Sequence, residues 1–243
     1  MTSSFVYHEK QQSALCGQHC LNNLLQGSFF TPGDLAEIAQ ELDALERAFM
    51  LESGAETADA LRFLAEDSGN VDESGNFSIQ VLNKALERSH GITLTNTAAS
   101  ELRDQADVVL TDEAFVMNRE SHWFAVRKLY GRFWNLNSTL EKPEVIGDFY
   151  LSSLLSQLKA DGYDVFVAAP ATQLPPPPPR DLGAGLLGQF ATYHSLESLL
   201  GRAAAQAAPT DPWAGLGAGN SLAGPSASAA ARGDPTAGGL DGD

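Results

Sequence analysis

Five consecutive prolines, Pro175 to Pro179, set the strongest limit on what this chain can fold into. A proline run forms a stiff extended helix without internal hydrogen bonds, so neither an α-helix nor a central strand continues through it. Before the run, residues 5–170 mix aliphatic, aromatic and charged positions in patterns that can build a core. We therefore predict one folded domain over residues 5–170. The remainder, residues 171–243, is rich in Ala, Gly, Ser and Pro, which predicts a mostly disordered tail with room for a short helix at residues 182–205.

The composition of the 243 residues argues against several classes of protein. Two cysteines cannot build a disulfide framework, and no stretch approaches the roughly 20 apolar residues needed to cross a bilayer. The N-terminal segment has no basic start followed by an apolar run, so no secretory signal is expected. These features favour a protein of the nucleus or the cytoplasm. The net charge of −16 makes nucleic acid and anionic membranes poor partners.

The order of the helix and strand patterns indicates the fold class. Thr31, Pro32 and Asp34 form a typical helix start, and Ser78 is placed to cap a later helix. Strand patterns cluster after the first helices, which is typical of an α+β protein whose N-terminal helices pack on an antiparallel sheet. We predict helices over residues 15–26, 31–50, 78–90 and 147–160, and strands over residues 92–96, 114–118, 123–129, 132–136 and 164–168.

Cys16 is a candidate nucleophile because it lies at the start of a predicted helix. The free N–H groups and the dipole at such a position favour a thiolate and lower the pKa of a thiol. Gln11, five residues earlier, can place its amide beside the backbone N–H of Cys16, and two such donors make an oxyanion hole. The alternative is that Cys16 is a small buried apolar residue, as most lone cysteines are. Cys20, one helical turn later, falls on the apolar face and is interpreted as a core residue.

A hairpin is predicted between His122 and Asn137, because two apolar runs flank a turn at Tyr130 and Gly131. Folding the chain at that turn brings Asn137 into side-chain range of His122. An amide carbonyl that accepts from one imidazole nitrogen leaves the other nitrogen facing a thiol, as in papain-like proteases. Asn135 lies on the same face of the strand, so the spacing leaves the orienting residue open. Both His122 and Asn137 can instead be ordinary strand-end residues.

A zinc site is an alternative use of the same side chains. It combines Cys16, His19 and Cys20 with His8 or His122. The spacing lacks the paired ligands of structural zinc sites, and the chain has no second pair of cysteines. We therefore expect neither a metal nor another cofactor.

Long motifs in a fixed order run through the predicted domain. They are residues 8–11 (HEKQ), 15–27 (LCGQHCLNNLLQG), 75–81 (GNFSIQV), 122–128 (HWFAVRK) and 134–138 (WNLNS). These motifs closely resemble the Josephin domain, a family of papain-like cysteine deubiquitinases. The resemblance covers nearly all of residues 5–170.

The resemblance implies a role for each candidate catalytic residue. Cys16 is the implied nucleophile and His122 the general base and acid. Asn137, rather than Asn135, is implied to orient the imidazole, and Gln11 to donate to the oxyanion. The implied activity is hydrolysis of ubiquitin isopeptide bonds. The alternatives are a non-catalytic ubiquitin-binding module and a peptidase for another ubiquitin-like modifier.

The resemblance also implies partners and a moving part. Ubiquitin and ubiquitinated proteins are the expected partners, and the chain is expected to be monomeric. A mobile helical arm is implied over residues 45–66. A tryptophan that is usual at the end of the Ser78 helix is replaced by Ser89 here. The implied candidates for ubiquitin contact are Ile79, Gln80, Phe29, Phe30 and Trp123.

Overall fold

The computed structural model describes residues 4–11, 13–52, 68–98, 112–171, 173–177, 185–187 and 191–205. Much of the predicted helical arm, from residue 53, and most of the predicted tail, from residue 206, lie outside these ranges. The mobility of the arm and the disorder of the tail therefore stay predictions. Within the described ranges, none of the helices is long and apolar enough to span a membrane.

The described residues form nine strands and five helices. The strands are β1 (Phe5–Glu9), β2 (Ile92–Asn96), β3 (Ala114–Arg119), β4 (His122–Leu129), β5 (Arg132–Asn135), β6 (Glu144–Ile146), β7 (Asp164–Pro170), β8 (Gly185–Leu187) and β9 (Ala191–Ser195). The helices are α1 (Cys16–Leu25), α2 (Pro32–Glu52), α3 (Ile79–His90), α4 (Asp148–Ala160) and α5 (Leu196–Ala205).

Two antiparallel sheets organise these elements. The larger sheet has six strands in the order β2-β7-β3-β4-β5-β6, and the smaller one has three strands in the order β1-β9-β8. The first three helices pack on one face of the larger sheet, and α4 packs on the other. The predicted α+β fold with helices on an antiparallel sheet is therefore confirmed, in the form of a three-layer core.

The central strands β3 and β4 are buried on both faces. Val116 and Ala125 face the layer of α1, α2 and α3, whereas Phe115, Phe124 and Val126 face α4. A strand that is covered on both sides has no need of polar residues on either, so its sequence is an almost continuous apolar run. This burial holds β4 firmly, and the strand begins at His122.

Most predicted elements between residues 15 and 168 match the structure to within two residues at each end. Strands β1 and β6 were not predicted from the sequence. The helix predicted over residues 182–205 is wrong in its first half, because Gly185–Leu187 and Ala191–Ser195 are strands, and among the described residues of this range only Leu196–Ala205 is helical. The reason is a tertiary contact: Ala191–Ser195 pairs along its full length with β1, and such pairing outweighs local propensity.

The start of the proline run packs against the domain. Leu174 is buried among core residues. The buried guanidinium of Arg127 donates to the carbonyl oxygens of Leu24 and Pro175, which ties the run to helix α1. Burial lowers the pKa of Arg127 to about 10, so the group keeps its charge at neutral pH. The chain after the larger sheet is therefore held on the α1 side of the molecule.

Helix α3 has a defined cap at each end. The Ser78 hydroxyl accepts a hydrogen bond from the backbone N–H of Val81 at 3.3 Å. Gly91 ends the helix with a φ of 61°, in the left-handed region that glycine adopts without strain, and its N–H bonds to the carbonyl oxygens of Leu86 and Glu87. Both caps agree with the start and end predicted from the sequence.

Replacing Ser78 with alanine is expected to lower the free energy of unfolding by about 1 kcal/mol, because the first turn of α3 loses its cap. Ser153→Ala is the matched control, since Ser153 is exposed within α4 and alanine is the better helix former there. Urea unfolding of both variants measures the difference. An unchanged midpoint for Ser78→Ala would show that the cap contributes nothing.

Candidate active site

Cys16 is the first residue of α1 and is only 1% exposed. Its Sγ donates a hydrogen bond to the carbonyl oxygen of Ser121 at 3.2 Å. Burial raises the pKa of the thiol, and the backbone N–H groups of Trp123, Gly17 and Cys16 itself only partly offset this effect. The lowered pKa predicted from the helix start is therefore wrong for this state, because burial outweighs the helix terminus.

His122, the first residue of β4, lies directly after the residue that binds the thiol. Its Nε2 is 3.0 Å from Oδ1 of Asn137. Because an amide oxygen only accepts, Nε2 carries the proton, and Nδ1 is left as an acceptor. Burial lowers the pKa of His122, while the bond to Asn137 acts in the opposite direction. These two described residues, Cys16 and His122, share no hydrogen bond in this state.

Asn137 is fully buried just after β5, where the β4–β5 hairpin returns the chain to His122. The side-chain contact predicted from the hairpin is therefore present. Oδ1 of Asn137 also accepts from the N–H of Thr139 at 3.1 Å, and its backbone N–H donates to Oδ1 of Asn135 at 3.1 Å. Its carbonyl oxygen lies 3.0 Å from Nε2 of His8. Asn135 thus supports the backbone of Asn137, while Asn137 contacts the imidazole.

Gln11 is held by neighbours in the loop before α1. Its backbone N–H donates to the carbonyl of Ser138 at 2.8 Å, and its Oε1 accepts from the Ser138 hydroxyl at 3.0 Å. Its Nε2 donates to the carbonyl of Ser13 at 3.3 Å. The predicted oxyanion role needs this nitrogen to turn towards Cys16. That role stays a prediction, because in this state the donor is bonded elsewhere.

A buried carboxyl group joins β1 to α1, and the sequence analysis did not identify it. Glu9 is 4% exposed, and its oxygens accept from the hydroxyl of Tyr7 and from Nδ2 of Asn22 at 3.0 Å and 3.2 Å. Nδ1 of His19 lies 2.6 Å from the same carboxyl group. A polar residue inside the HEKQ motif, two residues before Gln11, was the signal that could have revealed it.

The residues of the alternative zinc site are used in other ways. His19 bonds to Glu9, and His8 bonds to the backbone carbonyl of Asn137. Cys20 is 1% exposed and packs in the core, as predicted. Across the described ranges, no three His, Cys, Asp or Glu residues cluster closely enough to hold a metal ion.

The candidate ubiquitin contacts divide into surface and core residues. Phe29 is 50% exposed and Gln80 is exposed, whereas Ile79 is half-buried. Phe30 and Trp123 are 6% and 4% exposed, so they present little surface in this state, and their contact with ubiquitin stays a prediction. Phe30 packs in the main core, and the indole of Trp123 is buried with its Nε1 donating to the carbonyl of Phe77 at 3.1 Å.

Comparison with known proteins identifies the family of this chain. A family model described as Josephin matches residues 11–169. Ataxin-3 of Rattus norvegicus and ataxin-3 of Homo sapiens are each 46% identical over 162 residues, covering 67% of this chain and 45% of those proteins. The ataxin-3 homolog of Arabidopsis thaliana is 43% identical over 163 residues, covering 67% of this chain and 58% of that protein. The chain spans about half the length of the curated relatives it matches.

The fold and these matches indicate a family of the cysteine-protease, deubiquitinase type. The chain belongs to the Josephin family, and it is similar to ataxin-3 over most of its length. The resemblance stated from the sequence motifs is therefore confirmed at the level of the family.

Stability is expected to depend on pH through His8. Burial lowers the pKa of His8 to about 4, more than the bond to the Asn137 carbonyl raises it. Between the unfolded and folded pKa values only the unfolded chain binds the proton. The free energy of unfolding should therefore fall by roughly 3 kcal/mol as the pH drops from about 6.5 to about 4. His8→Gln cannot titrate and should lose this part of the pH dependence. Urea unfolding at several pH values compares the two proteins, and equal slopes would contradict the assignment.

The thiol of Cys16 is expected to react slowly at neutral pH. Burial raises the pKa of Cys16 and lowers the pKa of His122, so the resting pair is neutral rather than a thiolate with an imidazolium. Alkylation by iodoacetamide should keep accelerating above about pH 9. Mass spectrometry of a Cys20→Ala protein isolates the reaction at Cys16. A rate that levels off below about pH 7 would instead indicate a preformed ion pair.

Proposed function

We propose that this chain is a cysteine-type deubiquitinase that hydrolyses isopeptide bonds at the C-terminus of ubiquitin. Cys16 acts as nucleophile, His122 as general base and then acid, and Asn137 as the residue that orients the imidazole. The observation that carries the proposal is the 3.0 Å contact between Nε2 of His122 and Oδ1 of Asn137. Because Nε2 is bonded to Asn137, Nδ1 of His122 is left to accept a proton. His122 directly follows Ser121, whose carbonyl oxygen binds the thiol of Cys16.

The first step is a proton transfer within a neutral pair. The thiol leaves the carbonyl of Ser121 and gives its proton to Nδ1 of His122, and the sulfur attacks the carbonyl carbon of the scissile bond. The backbone N–H of Cys16 stabilises the oxyanion, and Nε2 of Gln11 joins it after releasing Ser13. His122 then returns the proton to the leaving lysine amine. Water hydrolyses the resulting thioester, again with His122 as base.

The charge of the chain favours a basic partner. The net charge of −16 attracts positively charged patches on ubiquitin and raises the rate of encounter. This effect acts over distance and is screened by salt. It therefore supports association rather than the chemical step.

One observation favours a second candidate function, a non-catalytic ubiquitin-binding module. Cys16 is 1% exposed, and its thiol bonds to Ser121 rather than to His122. A substrate reaches the sulfur only if the neighbouring groups move. If they do not move, the surface residue Phe29 can still contact ubiquitin while no bond is cut.

A ubiquitin whose C-terminus carries a thiol-reactive electrophile separates the two candidates. The wild-type chain and Cys20→Ala should each form one covalent adduct, because Cys20 is buried in the core away from the chemistry. Cys16→Ala should form none. Intact-mass spectrometry detects the adduct, and release of a fluorogenic C-terminal amide from ubiquitin measures turnover. An adduct on Cys16→Ala would defeat the proposal. Binding of ubiquitin by a wild-type chain that shows neither adduct nor turnover would establish the binding module instead.

A further inference from the structure

Strand β1 is held on one edge by side chains rather than by another strand. The amide of Gln26 accepts from the N–H of Tyr7 at 2.9 Å and donates to its carbonyl at 3.2 Å. The amide of Asn23 makes the same two bonds to Glu9, at 2.6 Å and 3.2 Å. One amide in α1 and one at the residue that caps its C-terminus therefore imitate a neighbouring strand, because alternate residues of a strand present their backbone groups to the same edge.

The other edge of β1 is covered by residues that come almost two hundred positions later in the chain. We call Ala191–Ala205, which comprises β9 and α5, the C-terminal strap. Val6 lies opposite His194 and His8 lies opposite Thr192 in an antiparallel ladder. The N–H of Leu196 extends the contact by donating to the carbonyl of Ser4 at 2.9 Å. Within the described ranges, β9 is the strand that pairs with β1.

The strap is anchored by apolar packing as well as by backbone bonds. Leu199 is 6% exposed and lies in a cluster with Val6, Trp134 and Leu136. The ring of Tyr193 lies 5.5 Å from the ring of Tyr7. Burial of these side chains makes the strap a part of the folded domain. Leu136 directly precedes Asn137 in the sequence. The apolar packing of the strap therefore extends to the end of the β4–β5 hairpin, where Asn137 contacts His122.

A short series of contacts connects the strap to the imidazole of the active site. The ring of His194 meets the ring of His8 edge-on, with 6.0 Å between centroids. Nε2 of His8 donates to the backbone carbonyl of Asn137 at 3.0 Å. Oδ1 of Asn137 then holds Nε2 of His122. Each of these residues is at least partly buried, so water does not readily replace a lost partner.

We propose that the C-terminal strap is a positioning element of the active site, which holds β1 so that His8 fixes the Asn137 backbone and thereby aims Asn137 at His122. The inference rests on the proposed function, and His8 is a positioning residue within it. Neither β1 nor the strap lies within residues 11–169, the part matched by the family model. The strap therefore lies outside the part of the chain that the family model matches.

The strap has this effect because it completes the hydrogen bonds and the apolar packing along one edge of β1. Without the strap, the backbone groups of Val6 and His8 lose their partners, and the buried faces of Tyr7 and Val6 lose their cover. β1 is then held by the amides of Gln26 and Asn23 and by the bonds of Glu9 alone, so its position on α1 is less tightly fixed. A shift of about 1 Å in a group that orients a catalytic base is enough to slow the chemical step while leaving substrate binding intact.

Two truncations of the chain test the role of the strap. A chain that ends at residue 205 keeps the strap, and a chain that ends at Arg180 lacks it. The shorter chain should lose about tenfold in kcat on ubiquitin with a fluorogenic C-terminal amide, with KM within about twofold of the wild-type value. A synthetic peptide of residues 185–205 should restore kcat. Equal kcat for both truncated chains would overturn the proposal.

Point variants in the full chain keep the test decisive if the shorter truncation fails to fold. His8→Leu removes the donor to the Asn137 carbonyl and should lower kcat about tenfold with little change in KM. His8→Gln keeps an N–H donor and should recover a large part of that loss. Equal loss in both variants, or none in His8→Leu, would refute the role of His8. A wild-type chain without turnover would instead defeat the proposed function, so the two failures are distinguishable.

Discussion

The hydrogen bonds of the buried Glu9 carboxyl group are the interactions on which the rest of the site depends. The group is buried between β1 and α1, where Tyr7, His19 and Asn22 supply its hydrogen bonds. A buried carboxyl group without such partners would be strongly destabilising, so this set of bonds favours the observed placement of the strand on the helix. That placement matters because α1 begins with Cys16, while β1 carries His8 and leads into Gln11. Two parts of the proposed catalytic arrangement are thus linked by a group that takes no part in the proposed chemistry.

The resting state keeps its reactive groups occupied by the protein itself. The thiol of Cys16 bonds to Ser121, and the amide of Gln11 bonds to Ser13. Both bonds are to backbone carbonyl oxygens of the protein. A substrate that enters the site must replace both bonds before attack is aligned. Such an arrangement favours a substrate whose binding energy is large enough to break these two bonds. This is a form of selection by induced fit.

Much of this arrangement was predictable because local patterns and geometry agree. The hairpin between β4 and β5 follows from two apolar runs and a turn, and it brings Asn137 to His122 as expected. The charge state of Cys16 was not predictable, because the helix start favours the thiolate while burial, which depends on distant residues, opposes it more strongly. Strand β1 was missed since all five of its residues are buried and leave no alternating pattern. The strap was missed because its partner strand lies at the other end of the chain.

The pairing of β1 with β9 also has a consequence for how the chain folds during synthesis. The first strand of the domain finds its partner only after about 185 further residues have been made, which is a contact of very large sequence separation. The larger sheet and its covering helices, by contrast, have all their strands by Pro170. On the ribosome the central layers can therefore assemble first, while β1 contacts α1 but is not yet paired with β9. Completion of the small sheet then becomes a late step, because it must follow the synthesis of β9.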